Sequence, residues 1–169
     1  MQAFWDDGLM ATSVDDLLRA SGLARSALYN RFGSREQLAR LALQRYAERQ
    51  GAGIRELFAR RGLGAVRDML LEAALDNAGG RGCLLVNALH QLRAADAASA
   101  ASARRAFAAL AQALRDAIAQ VVPAGQDAEG LCAATMAAIA GLRTLQRAAV
   151  ALPLRRAAAE RFADMLAPV

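Results

Sequence analysis

An all-α fold is predicted by three features of this chain. Hydrophobic residues make up 56% of it and aromatics only 5%. Alanine and leucine therefore carry much of the apolar content, and both favour helix. The β-branched residues that favour strands are scarce. Only three prolines occur, at Pro123, Pro153 and Pro168, so long stretches lack the residue that breaks helices. With 169 residues, the chain has room for one or two small domains and a substantial core.

The elements follow in order. Residues 1–8 read as a short helical stub with Phe4 and Trp5 inward, ended by Gly8. Ser13 and Asp16 have the spacing of a capping box that opens a helix from Val14 to about Ser21. Val14, Leu17 and Leu18 share its apolar face, and Asp15 and Asp16 suit its positive end. Gly22 breaks the helix and Leu23 anchors the turn. A second short helix runs from about Arg25 to Arg31, with Leu28 and Phe32 toward the core and Gly33 as its stop. Ser34 and Gln37 predict another capping box, on a helix that carries Leu38, Leu41 and Leu43 to about Gln50.

Gly51, Gly53, Gly62 and Gly64 suggest a looser region, so the domain boundary is placed there: 1–50 and 51–169. Beyond it, helices are expected over 65–78, 83–93, 99–122, 128–150 and from Pro153 to near Leu166. A loop from Asn77 to Gly82 and a break near Asp96 separate the first three. Pro123 to Gln126 reads as a turn, and Pro153 as a first-turn proline.

Net charge is +5, which permits an anionic partner without demanding one. Every basic residue is Arg, a bias that a GC-rich coding sequence would explain. Arg is nonetheless the better residue for forked contacts to phosphate or guanine. Cys83 and Cys132 have no metal-ligand spacing, and a redox role for Cys83 is left open. The N-terminus lacks the pattern of a signal peptide. Arg143 and Arg147 interrupt the apolar run from Leu131 to Leu152, against a membrane span. A reducing cytoplasm is the expected compartment. No nucleophile–base pairing, metal-ligand set or phosphate loop points to an enzyme, and no cofactor or metal is expected. No helix sets a cationic face against bulky apolar residues, which disfavours a membrane-surface role.

Two short helices joined by a tight glycine turn, with an apolar seam, form a helix-turn-helix signal. Generic helix pairs share that pattern, and the second helix sharpens it. Its N-terminal end, which enters the major groove in such motifs, carries Arg25, Ser26 and Ala27. Arg25 can fork onto guanine O6 and N7, Ala27 can touch a thymine methyl, and Tyr29 can reach a phosphate. Ser34 and Arg35 open the next helix, whose free N–H groups suit a phosphate oxygen. From Arg19 to Arg49, seven arginines face two glutamates, a local net charge of +5.

The run Thr12-Ser13-Val14-Asp15-Asp16-Leu17-Leu18, then Ala20-Ser21-Gly22-Leu23, then Leu28-Tyr29-Asn30-Arg31-Phe32-Gly33-Ser34-Arg35-Glu36-Gln37-Leu38, resembles the DNA-binding head of TetR-family repressors. The resemblance covers about residues 1–50. Gly82-Cys83-Leu84-Leu85-Val86-Asn87 is similar to a segment in one group of these regulators. The resemblance implies that Ser13 contacts phosphate, that Arg25, Ser26 and Ala27 read bases, and that Tyr29 lies on phosphate. It further implies backbone contacts from Asn30 or Arg31, and a phosphate contact from Arg35 beside Ser34. Three departures stand out. The first helix is short where relatives carry further residues, basic ones among them. Ala24 replaces a capping Ser, a loss of about 1 kcal/mol. Asn30 replaces the commoner His.

The resemblance also implies a helical body that binds a small apolar or amphipathic effector and forms a homodimer. Two-fold symmetry would present two recognition helices to a palindromic double-stranded operator. Candidate interface residues are Leu131, Thr135, Ile139 and Leu142 on one helix, with Leu154, Ala158, Phe162 and Met165 on the last. Plain core would give the same stripes. Asn87, His90 and Gln91 are candidate polar groups of a pocket, with Met69, Phe107 and Met136 as apolar lining; each also suits an ordinary core or surface position. The expected function is a ligand-responsive transcriptional repressor. The alternative is a ligand-independent helical DNA-binding protein.

Overall fold

The computed structural model describes residues 1–75, 81–91 and 97–166. Among these the regular structure is entirely α-helical: α1 (Gln2–Asp6), α2 (Val14–Ser21), α3 (Arg25–Phe32), α4 (Arg35–Arg61), α5 (Gly64–Ala74), α6 (Leu84–Gln91), α7 (Ala97–Ala119), α8 (Ala128–Arg147) and α9 (Leu152–Leu166). Residues 77–80 of the expected loop from Asn77 to Gly82, and the break near Asp96, lie outside the described residues; Arg81 and Gly82 are without regular structure. The chain groups into two compact units, Met1–Arg49 with Leu84–Ala108 and Gln50–Cys83 with Ala109–Val169.

In the first unit, Phe4, Leu9, Leu17, Leu28 and Leu43 are buried, as are Leu84 and Leu85 of α6. Trp5 meets Tyr46 edge-on, with ring centroids 5.3 Å apart, a favoured aromatic geometry. The capping box of α2 is complete. The Ser13 hydroxyl accepts from the Asp16 N–H at 3.1 Å, and the Asp16 carboxylate accepts from the Ser13 N–H at 2.9 Å. At the start of α4 only half of the expected box forms. Ser34 Oγ accepts from the Gln37 N–H at 3.1 Å, but the Ser34 N–H donates to the Phe32 carbonyl. The Gln37 amide instead lies over Gly33, in the space a Cβ there would fill.

In the second unit α5 packs on α8 and α9, and α8 packs on α9. Phe58, Leu70, Leu114, Ile118 and Leu142 are the large residues of the core. Arg67 pairs with Asp164 at 3.2 Å, joining the start of α5 to the end of α9. One expectation is corrected here. The helix opened by Arg35 does not stop near Gln50; it continues through Gly51 and Gly53 to Arg61. Gly51 is buried, and a Cβ there would stand 3.1 Å from Ala113 Cβ. It marks a close approach of α4 and α7 rather than a loose segment. The break comes at Gly62, whose φ is +54°.

Candidate nucleic-acid interface

The turn between α2 and α3 depends on Gly22, which takes φ +68°, a left-handed conformation that costs glycine little. Its N–H donates to the Leu18 carbonyl at 2.9 Å, closing α2. The Leu23 N–H donates to Ser21 Oγ at 3.3 Å. Helix α3 then starts at Ala24 without a side-chain cap, as the sequence implied. Leu28 alone of its residues is buried. Arg25, Ser26, Ala27, Tyr29, Asn30 and Arg31 are all exposed. The N-terminal end of α3 thus stands clear of the protein, held by one leucine and by the capped helix behind it.

Charged groups around this end are distributed unevenly. Arg25 Nη2 pairs with Asp15 Oδ1 of α2 at 2.5 Å. Arg31 lies over the Phe32 ring, 5.6 Å from its centroid. Ser13 is exposed, but its hydroxyl serves the α2 cap.

Arg35 departs from its predicted role. Its Nε donates to the Thr12 carbonyl at 2.6 Å, and Nη2 donates to the carbonyls of Leu9 and Met10. The guanidinium also sits 5.9 Å from the Phe4 ring centroid, and the side chain is only 21% exposed. Its donors are directed into the α1–α2 turn, so Arg35 braces the head instead of offering its charge to a phosphate. The sequence held no local signal for this, because the carbonyls concerned lie more than twenty positions away. Glu36, next along α4, has its carboxyl held below the usual carboxylate range, chiefly by a backbone N–H at the helix start.

Residues 1–42 match the family described as bacterial regulatory proteins, tetR family. A cysteine mutant of the TetR family transcriptional regulator CifR, solved complexed with 26 bp double-strand operator DNA, is similar over 96% of this chain and 90% of that one, with a TM-score of 0.74 and 26% identity. The N-terminal head, residues 1–42, thus matches the tetR family model.

Two further proteins are similar. A TetR-family regulator from Cytophaga hutchinsonii shares the fold over 97% of the present chain and 87% of its own, with TM-score 0.72 and 20% identity. The HTH-type transcriptional repressor ComR of Escherichia coli (strain K12) is 42% identical over 52 residues, 31% of this chain. The chain spans about a quarter of the length of that curated relative.

The predicted pocket residues belong to both compact units. Asn87, His90, Gln91 and Phe107 fall in the first compact unit, and Met69 and Met136 in the second. Met69 and Met136 pack against one apolar cluster. His90 is exposed. Gln91 uses its Oε1 to accept from the Leu9 N–H at 2.8 Å, so this amide holds the turn between α1 and α2. Of the interface candidates, Thr135 and Leu142 are wholly buried within their own unit and cannot touch a partner. Leu154, Phe162 and Met165 are exposed, while Leu131, Ile139 and Ala158 are half-buried on the edge of the core. Burial pushes the Cys132 thiol up, away from the thiolate form that reacts. No helix among the described residues is long and apolar enough to cross a membrane.

Proposed function

We propose that this chain is a ligand-responsive transcriptional repressor that binds a palindromic operator as a homodimer and is released by a small apolar or amphipathic effector. The carrying observation is the exposed N-terminal end of α3, where Arg25, Ser26 and Ala27 have no protein packed over them. A helix end shaped this way suits the major groove. The operator-bound CifR neighbour supports the same reading.

In this reading residues 1–50 are the DNA-binding domain and 51–169 the effector and dimer domain, acting in the cytoplasm. Arg25, Ser26 and Ala27 read bases. Tyr29, Asn30, Arg31 and the Ser34 hydroxyl take phosphates, and Arg35 acts indirectly through the turn it braces. The dimer forms through the outer faces of α8 and α9, with Leu154, Phe162 and Met165 as its most exposed apolar groups. Effector acts by its different affinity for two arrangements of the dimer.

The test begins by selecting duplexes from a random pool with the purified chain. Affinity for the selected site is then measured over a salt series. Arg25→Ala should cost about 1–3 kcal/mol on that site and relax preference at one base pair. Sedimentation should give a dimer, and Leu154→Glu with Met165→Glu should give monomers. Failure to enrich any sequence at moderate salt overturns the DNA-binding reading. An operator affinity that no small apolar ligand changes would leave a constitutive DNA-binding protein.

A further inference from the structure

We infer that Asp15 is a positioning residue for base recognition: it holds the Arg25 guanidinium in place before DNA arrives and keeps phosphates of unmatched DNA away from it. This rests on the DNA-binding reading above.

Arg25 is the first residue of a helix with no side-chain cap. The free N–H groups there carry partial positive charge, which repels a guanidinium. A long side chain in that place, left alone, samples many rotamers, and fixing it costs free energy on binding. Asp15 offsets both effects through its contact with Nη2 at 2.5 Å. Asp15 itself stands on a rigid support. Its neighbour Asp16 closes the capping box, and Leu17 is buried.

The pair is 56% and 71% exposed, so it adds little to folding stability. Its consequence lies in where the guanidinium points. Arg has five N–H donors, and the Asp15 contact occupies one edge. The rest remain for the O6 and N7 acceptors of guanine. A carboxylate at this place also repels any backbone phosphate that Arg25 alone would attract. One side chain therefore favours the matched site and opposes the unmatched one, which is how specificity is raised from both directions.

The test compares wild type with Asp15→Asn, Asp15→Glu, Arg25→Ala and the Asp15→Asn/Arg25→Ala double variant. Fluorescence anisotropy follows binding to the selected duplex, to its single-base-pair substitutions and to random duplex, at one salt concentration. Asp15→Asn should bind random duplex about twofold or more tightly, since one repelling charge is gone. It should lose about fivefold or more of the discrimination at the base pair that Arg25→Ala identifies. Asp15→Glu should restore part of that discrimination. In the Arg25→Ala background, Asp15→Asn should leave discrimination at that pair unchanged.

Two results overturn the inference. In one, Asp15→Asn tightens selected and random duplex equally, which makes Asp15 a simple repelling charge. In the other, it weakens both equally with a lowered melting temperature, which makes it a structural residue of α2. If the wild-type chain selects no duplex at all, the DNA-binding reading fails first and takes this inference with it.

Discussion

Gln91, the last residue of α6, accepts a hydrogen bond through Oε1 from the backbone N–H of Leu9 at 2.8 Å. The carbonyl of the same Leu9 accepts from Arg35 on α4. One residue of the α1–α2 turn is thus held at both polar groups by side chains from two other helices. Gly8 makes this possible. It takes φ +88°, and a Cβ there would stand 2.7 Å from Gln91 Nε2. Gln91→Leu leaves the N–H of a buried residue without its acceptor, a loss of about 1–3 kcal/mol. Gln91→Glu keeps an acceptor oxygen and should recover most of it. Urea denaturation of the two variants measures the difference.

The glycines of α4 give opposite expectations. Gly53 is exposed within the helix, and nothing lies within 4 Å of a Cβ built there. Gly53→Ala should stabilise by about 0.5–1 kcal/mol, because alanine loses less backbone freedom on folding. A Cβ at Gly51 would stand 3.1 Å from Ala113 Cβ. Gly51→Val forces a branched side chain into that contact, and its denaturation midpoint should fall. A midpoint that rises for both would mean that α4 and α7 separate easily.

The difference between these glycines explains what the sequence could and could not disclose. Local patterns carry local structure well. The Ser13–Asp16 spacing, the Gly22 break and the lone apolar anchor Leu28 define α2, the turn and α3, and the exposed N-terminal end of α3 follows from them. A glycine, however, reads alike whether it ends a helix or lets two helices touch, so α4 extends to Arg61 past an expected end at Gln50. Side-chain partners distant in sequence are equally silent. Nothing near Arg35 indicates the carbonyls of Leu9 and Thr12, and nothing near Arg25 indicates that Asp15 takes its guanidinium. Apolar periodicity marks one face of a helix without saying what covers it. Thr135 and Leu142 prove to be covered by their own chain, whereas Leu154 and Met165 are not.

The α2 cap should show in the acid range. The Ser13 hydroxyl, the Ser13 N–H and then Arg19 hold the Asp16 carboxyl below its usual value. A carboxyl whose folded pKa is depressed contributes stability that is present above its unfolded pKa of about 3.9. That contribution is lost as pH falls through the folded pKa. The melting-temperature gap between wild type and Asp16→Asn should therefore be widest near neutral pH and close below about pH 4. A gap that stays constant from neutral to acid pH would assign the cap's contribution to packing rather than to the carboxylate charge.

Arg155 is a buried cation in the body. The residue is only 7% exposed, yet neither Nε nor Nη1 meets a hydrogen-bond acceptor among the described residues. It lies in the first turns of α9. Burial there takes from the guanidinium hydrogen bonds it would make in water. Arg155→Met keeps most of the apolar stem and removes the desolvated charge, so it should stabilise the fold by about 1–3 kcal/mol. Arg155→Ala removes the stem as well and should destabilise it. If urea denaturation shows methionine costing as much as alanine, the guanidinium is a net contributor to the body.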